Sequence, residues 1–391
     1  MKLAVLLHGS IQNDYRVIKT IQTISKITDG IWVFHVGENK DVLDIFKNSK
    51  IKVISCPAKK GLYSKIKAHS FFCYEYLYLK ESVLQANIKF DFIWANDLPT
   101  LLPAYRIKKQ LNAKLIYDSH EIYNETINQF FPREAKGIKK VIFTLLIYFM
   151  RFQGKYIERK LIHRLDHFIT VNQSLLDYFK NEYSLKSGEV IMNLPRLSDT
   201  KPEVSPFDFR QTNNWGPHHK ILLYQGALNE GRGLKLLIDT VEALHEKYRL
   251  VIIGNGLLKE ELQEIVRRKN LEERIHFVDA VPLKELPSFT KGADIGINLL
   301  EDFNLSKKLA SPNKLFEYIH AGIPVLGTNT IENSRVVERY KIGELCNNNI
   351  DSFIEAIKKM EKNNYLEELN KAKAYYNWEN QESKLINLFE D

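Results

Sequence analysis

Two stretches of this 391-residue chain combine residue types and spacing suited to holding a phosphate. The first, Gln225-Gly226-Ala227-Leu228-Asn229-Glu230-Gly231-Arg232-Gly233, follows the apolar run Leu222-Leu223-Tyr224 and precedes a helical pattern from Leu234. Glycines let backbone amides approach a ligand closely. A helix N-terminus beside the Arg232 guanidinium would favour diphosphate oxygens, the alternative being a plain strand-to-helix turn. The second stretch is Ser311-Pro312-Asn313-Lys314-Leu315-Phe316-Glu317-Tyr318-Ile319-His320-Ala321-Gly322-Ile323-Pro324-Val325. Ser311 suits an N-cap and Pro312 a first helical position, which leaves the amides of Asn313, Lys314 and Leu315 facing a phosphate. Glu317 follows one turn later below Asn313, where a carboxylate can accept a pair of ribose hydroxyls. The bland alternative makes Glu317 a solvated helix residue and Lys314 a surface charge.

These residues need a scaffold, and the chain supplies a repeating one. Short apolar runs at Leu3 to Leu7, Gly30 to Val36, Ile51 to Ser55, Phe92 to Ala95, Leu115 to Asp118 and His167 to Val171 read as strands. Helical periodicity lies between them, as at Tyr15 to Ile27 and Leu98 to Leu111. The pattern breaks over Asn193 to Pro217, which carries four prolines, and then restarts. The later strands are Lys220 to Gln225, Leu250 to Ile253, Ile275 to Val278, Ile295 to Leu299 and Pro324 to Leu326. Alternating strands and helices predict two Rossmann-like, doubly wound α/β domains, with ligands beyond the carboxyl ends of the strands. The expected boundaries are 1–200 for the first domain, 201–217 for a linker, 218–364 for the second domain and 365–391 for terminal helices. Those helices are expected to return to the first domain, with Trp378 as their anchor.

Composition narrows the possibilities. The chain is 44% hydrophobic and 27% charged, which excludes a collagenous or disordered chain. Cys56, Cys73 and Cys346 are scattered, without a CxxC pair or a zinc spacing, and this fits a reducing compartment. The net charge of +8 suits anionic partners, but the basic residues are dispersed and no nucleic-acid motif accompanies them. Lys2 followed by Leu3 to Leu7 is too short an apolar run for a signal peptide and is read as a buried strand. No run approaches the roughly 20 apolar residues of a spanning helix.

Taken together, these motifs resemble the retaining "group 1" glycosyltransferases of the GT-B type, family 4 of the sequence classification. The carriers are QGALNEGRG, Ile253-Gly254-Asn255-Gly256, the ADIGINLL stretch from Ala293 and, most specifically, SPNKLFEYIHAGIPV. The resemblance implies two Rossmann-like domains facing a central cleft. It implies that Gly226 and Arg232 meet the donor diphosphate, that the segment Pro312, Asn313, Lys314, Leu315 binds its phosphates, and that Glu317 holds the ribose. Gly254 and Gly256 resemble the turn beside the nucleotide, and Val281, after Asp279-Ala280, the loop against the base. In the first domain Gly9 resembles a glycine facing the donor. His120, in Asp118-Ser119-His120-Glu121, resembles the family's sugar-side histidine. Arg16, Asn96 and Asp97 resemble acceptor-side, cleft-lining positions, although Arg16 and Asp97 could equally brace helices. His8, His163, His245 and His276 carry no such signal and are read as structural or exposed.

The implied activity is transfer of a sugar from a nucleotide diphosphate sugar to a hydroxyl with retained configuration, His120 and Arg232 being the catalytic candidates. The donor is a substrate rather than a cofactor, a UDP-sugar is favoured, and no metal is expected because no aspartate-x-aspartate pair accompanies the motifs. The sequence departs from the family pattern twice. Leu309 stands where a first glutamate is common, and Ala227 where arginine often follows the glycine. The alternatives are a non-catalytic nucleotide-sugar-binding protein and a nucleotide-sugar epimerase.

One segment stands outside that scheme. Lys139-Lys140 precedes the mostly apolar Val141 to Met150, and Arg151, Lys155, Arg159, Lys160 and Arg164 follow it. It is read either as an interfacial helix held by anionic lipid or as a core helix with a basic outer face. The first reading suits a glycan or lipid-linked glycan acceptor in surface polysaccharide or glycolipid assembly, with a cytoplasmic protein peripheral to the inner membrane face.

Overall fold

The apolar runs pair as two parallel sheets, each wound in both directions from a central strand. A computed structural model describes residues 1–36, 46, 48–56, 70–72, 74–132, 135–200, 205–301 and 304–390, so Cys73 lies outside the described residues. The first sheet comprises β1 (Lys2–Leu7), β2 (Gly30–His35), β3 (Ile51–Ser55), β4 (Phe92–Asn96), β5 (Lys114–Ser119), β6 (His167–Thr170) and β7 (Glu189–Val190). The second comprises β8 (Lys220–Gln225), β9 (Tyr248–Ile253), β10 (Ile275–Val278), β11 (Ile295–Asn298), β12 (Val325–Thr328) and β13 (Gly343–Cys346). Their orders are β3-β2-β1-β4-β5-β6-β7 and β10-β9-β8-β11-β12-β13, and the described pairings are all parallel. Helices cover both faces of such sheets, which is why central strands are apolar along their length; β1 is buried from Leu3 to Leu7. The edge strands β7 and β13 are short or half-buried and carry no apolar run, so periodicity did not single them out.

In both sheets the winding reverses beside the first strand, between β1 and β4 and between β8 and β11. Loops part at such a point and leave room for a ligand. Register brings Leu7, Asn96 and Asp118 side by side along one edge of the first sheet.

The chain divides into two units, Met1–Met192 with Gln381–Asp391, and Asn193–Asn380. Three expectations are thereby corrected. Residues 205–217 are folded on the second unit instead of free as a linker: Phe207 stacks on Phe289 at 4.4 Å, and the helix Phe209–Thr212 carries Arg210 to Asp294. The terminal helical stretch is two helices, Leu366–Tyr375 in the second unit and Glu379–Asn387, which straddles the division. Trp378, expected as an anchor on the first unit, is fully buried and belongs to the second, its amide donating to Pro195 O at 2.9 Å.

The anchor on the first unit is Phe389. Its ring stacks on Trp94 at 6.0 Å and meets Phe92 edge-on at 4.9 Å. Gln381 accepts from the Met192 amide at 3.1 Å, and Glu382 accepts from Thr23 at 2.9 Å. Phe389 is only partly buried, so Phe389→Ala should destabilise the first unit by about 2 kcal/mol, below the range for a fully buried ring. Denaturant unfolding followed by Trp94 fluorescence checks this, and an unchanged midpoint would remove the anchoring role.

Candidate active site

In the second unit, the helix Asn313–Ala321 is fixed to the sheet by Tyr318. Its buried hydroxyl lies 3.0 Å from Leu223 O and 3.2 Å from Ile297 O, and accepts from the Gln225 amide at 3.3 Å. Gly296 permits the close approach, since a Cβ there would stand 2.3 Å from Tyr318 Cγ. Gln225 closes β8 and orients the next turn: its amide nitrogen donates to Glu317 and its amide oxygen accepts from Thr290 at 2.9 Å.

The helix starts one residue later than the sequence suggested. Pro312, extended at φ −66° and ψ 134°, is the N-cap, and Asn313 is the first helical residue. The Leu315 amide is already spent on Pro312 O at 3.1 Å, which corrects its assignment as a phosphate donor. First-turn amides have no partner within a helix, so Asn313 and Lys314 present theirs outward. Exposed Asn313 accepts from Asn193 Nδ2 at 3.1 Å. Leu309, at the position of the missing glutamate, is buried; close by, the Ser311 hydroxyl is buried without a hydrogen-bond partner.

Lys314 is the unusual member. Its side chain is buried, and Nζ has no hydrogen-bond partner, sitting instead 3.6 Å from the centroid of the Tyr224 ring. Burial, and then the charge of Arg232, push its ammonium well below the usual lysine range, with Glu317 pulling the other way. Burial likewise pushes the Tyr224 hydroxyl up to about 12, against the opposing effect of Arg232. The charge of Arg232 disfavours that of Lys314, and an arriving anion relieves this opposition.

Glycines shape the surrounding loops. Gly254 has φ +145°, and a Cβ there would lie 2.0 Å from Gly226 O; one at Gly256 would lie 2.4 Å from Leu228 O. The loop after β9 therefore rests directly on the loop after β8, joined by Gly226 N to Ile253 O at 2.9 Å. Val281 is half-buried in the loop after β10, where Asp279 pairs with Lys259.

The first unit gathers its own group at the ends of β4 and β5. Arg16 and Asp118 are both buried and pair at 2.8 Å; Arg16 also donates to Ile191 O. Burial opposes ionisation of Asp118, but Arg16 and His120 outweigh it and hold the carboxyl well below its ordinary value. His120 has Nδ1 3.2 Å from Asp97 Oδ2 and Nε2 3.4 Å from Asp118 Oδ2, the latter without hydrogen-bond alignment. Burial disfavours its charge, yet the two carboxylates hold its pKa well above the usual histidine value. The carboxylates thus favour the imidazolium, a form able to present positive charge but not to take a proton. Asp97 is strained at φ 58° and ψ 167°, a region costing about 1–3 kcal/mol, and is held there by hydrogen bonds. Its Oδ1 accepts from the His120 amide at 2.9 Å, its own amide donates to Asp118 O at 2.9 Å, and its carbonyl accepts from the Thr100 amide at 3.1 Å. Asn96 is buried and donates to Leu6 O at 3.0 Å, so its side chain ties β4 to β1. Gly9 follows β1 in the loop beside the winding reversal.

Behind this group lies a carboxyl that the motifs did not flag. Glu158, in the helix Gly137–Leu161, accepts from Tyr117 at 2.9 Å, from Tyr183 at 2.7 Å and from Asn124 at 2.7 Å. Burial pushes it up to about 7 despite those hydroxyls. Its signal was a lone acid in a basic, apolar helix. Gln225 and Tyr318 sat within the quoted motifs, whereas Thr290 had no local signal.

Residues 207–377 match the family model described as glycosyl transferases group 1. The chain is 39% identical over 56 residues to the N-acetylgalactosamine-N,N'-diacetylbacillosaminyl-diphospho-undecaprenol 4-alpha-N-acetylgalactosaminyltransferase of Campylobacter jejuni, covering 14% of this chain and 15% of that protein. It is 31% identical over 104 residues to the O-antigen biosynthesis glycosyltransferase WclY of Escherichia coli, covering 26% of each. These matches thus span about a quarter or less of either relative. In fold it is similar to Anabaena Alr3699/HepE in complex with UDP, with a TM-score of 0.71 at 16% identity over 100% of both chains. Residues 207–377, all within the second unit, are thus similar to the group 1 glycosyl transferases, and the two parallel-sheet units have the GT-B fold.

Two measurements check the first unit's electrostatics. Asp97→Asn keeps an acceptor for the His120 amide but removes one of the two charges, so the His120 pKa should fall in an NMR titration; an unchanged value would discard the assignment. Glu158 is protonated in both states below about 4.5, and between there and about 7 only the fold retains the proton. Native stability therefore falls as pH rises through that window, by up to about 3 kcal/mol. Glu158→Gln should lose that component, gaining on the wild type between pH 5 and 8, and a pH-independent difference would refute it.

Proposed function

We propose that this protein is a retaining glycosyltransferase that moves a sugar from a nucleotide diphosphate sugar to a hydroxyl acceptor without a metal. The observation that carries the reading is the buried Lys314 ammonium, without a hydrogen-bond partner, beside Arg232 and the open amides of Asn313 and Lys314. A diphosphate offers the charge and acceptors this group lacks. The same groups would stabilise the charge that grows on the departing diphosphate, where the interaction is stronger in the transition state than before it. Glu317, oriented by Gln225, would hold the ribose hydroxyls.

The acceptor oxygen would bond to the anomeric carbon as the bond to the diphosphate oxygen breaks. Attack on the leaving-group face would retain configuration, and the acceptor proton would pass to the diphosphate. His120, whose charged form Asp97 and Asp118 favour, would orient the donor sugar instead of acting as base or nucleophile. Uridine is the favoured base, in keeping with the UDP bound by Anabaena HepE. Assembly of an O-antigen or other lipid-linked glycan is the favoured setting, because the two curated relatives are named for such work.

Melting temperatures with UDP, GDP, ADP and TDP in EDTA test the donor site, since a ligand of the folded state must raise them. One nucleotide should raise the wild-type value selectively. Arg232→Ala and Lys314→Met should each weaken that nucleotide by about tenfold or more, the loss of a charge-assisted contact. Lys314→Met should itself melt no lower than the wild type, because it removes an uncompensated buried amine. No rise with any nucleotide would defeat the reading, and an isomerised sugar without transfer would replace it with an epimerase.

A further inference from the structure

The helix Gly137–Leu161 holds a row of large apolar side chains in water. Ile138, Val141, Leu145, Tyr148, Phe152 and Tyr156 are all exposed, Ile138 by 79%, Leu145 by 63% and Phe152 by 70%. At about 100° per residue this spacing puts them within one narrow stripe, running roughly 27 Å along the helix. Phe72 extends the stripe sideways, exposed and 6.2 Å from the Tyr156 ring. The opposite side of the same helix is anchored by buried Met150, Gln153, Ile157 and Leu161. The stripe is therefore the outer face of a firmly seated helix.

The surface charges of this helix have one sign. Lys139 and Lys140 are exposed near its start, and Lys155, Arg159 and Lys160 near its end; Arg159 lies 3.4 Å from Glu182. Its single acid, Glu158, is buried in the Tyr117, Tyr183 and Asn124 pocket and contributes no surface charge. Among the described residues, no helix is long and apolar enough to cross a membrane.

We propose that this face docks the protein on an anionic bilayer, the helix lying in the headgroup plane with its apolar stripe in the acyl boundary. The expectation drawn from Val141 to Met150 is thereby extended to Ile138 through Tyr156. Apolar area and basic flanks together suit an interface in which headgroups meet the lysines while the stripe leaves water. A second copy of the chain matches the apolar half alone, because stacking two such faces brings like charges together. This inference does not depend on the identity of the donor, and its test reads binding, not turnover.

Sedimentation with sucrose-loaded vesicles decides it. The full chain should pellet with phosphatidylcholine/phosphatidylglycerol vesicles of about 3:1 at low salt, and far less with phosphatidylcholine alone. Raising salt from about 0.05 M to 0.5 M should weaken binding as the charges are screened. Leu145→Glu with Phe152→Glu should lose at least about tenfold in partition, since the apolar contact is removed, with melting temperature unchanged. Lys139→Glu with Lys140→Glu, far from any packed contact, should weaken binding and flatten its salt dependence, and decides the matter if the first pair fails to fold. Equal recovery in the supernatant with and without anionic vesicles would overturn the proposal. So would full binding by folded variants of both pairs, or a concentration-dependent dimer that the Leu145→Glu, Phe152→Glu pair abolishes. A nucleotide that fails to bind leaves these outcomes untouched.

Discussion

Parallel pairing is the constraint on which the rest of the molecule depends. Parallel strands cannot be joined by tight hairpins, so each must be followed by a crossover that covers a face of the sheet. All strands of a sheet then end along the same edge. That is why the chemistry-bearing residues follow strands: Gly9 after β1, Asp97 after β4, His120 after β5, Gly226 after β8 and Gly254 after β9. The reversal of winding beside β1 and beside β8 opens the loops at those edges. Buried central strands and polar strand ends are two consequences of one topology.

The two units use opposite charge logic. In the first, Asp97 and Asp118 surround His120 and hold it charged, while Arg16 neutralises Asp118 from behind. The group is internally balanced, and the strain at Asp97 is maintained by the hydrogen bonds it makes possible. In the second, burial and Arg232 disfavour the charge of Lys314, and Glu317 opposes them. A balanced cluster holds a geometry; an unbalanced one calls for an anion. The π face of Tyr224 is a partial substitute for that anion, worth far less than a diphosphate to a buried ammonium.

The helix Gly137–Leu161 shows how one element serves two surroundings. Its buried acid binds Tyr117, which lies on β5 next to Asp118, so the helix is bolted to the strand that carries the histidine. Its outer stripe is left to water. Position along the helix, not composition, separates the residues that fasten it from those available to a partner.

Much of the fold was legible in the sequence because a parallel sheet leaves a simple trace. β3, β8 and β10 stand where their apolar runs placed them, and the helix Leu98–Leu111 matches its periodicity. The loops after β8 and β9 were legible too, because glycine acts over a few positions of chain. Contacts between distant residues had no such trace. The pairing of Arg16 with Asp118, the Thr290–Gln225–Glu317 chain and the seat of Lys314 over Tyr224 each join segments far apart in sequence. The same holds for the chain end, where Phe389 packs on Phe92 and Trp94. Local sequence determines which backbone conformation is cheap, and so which element forms. Only tertiary packing decides which side chains meet, because burial, and with it the charge state of Lys314, His120 and Glu158, is a property of the assembled fold.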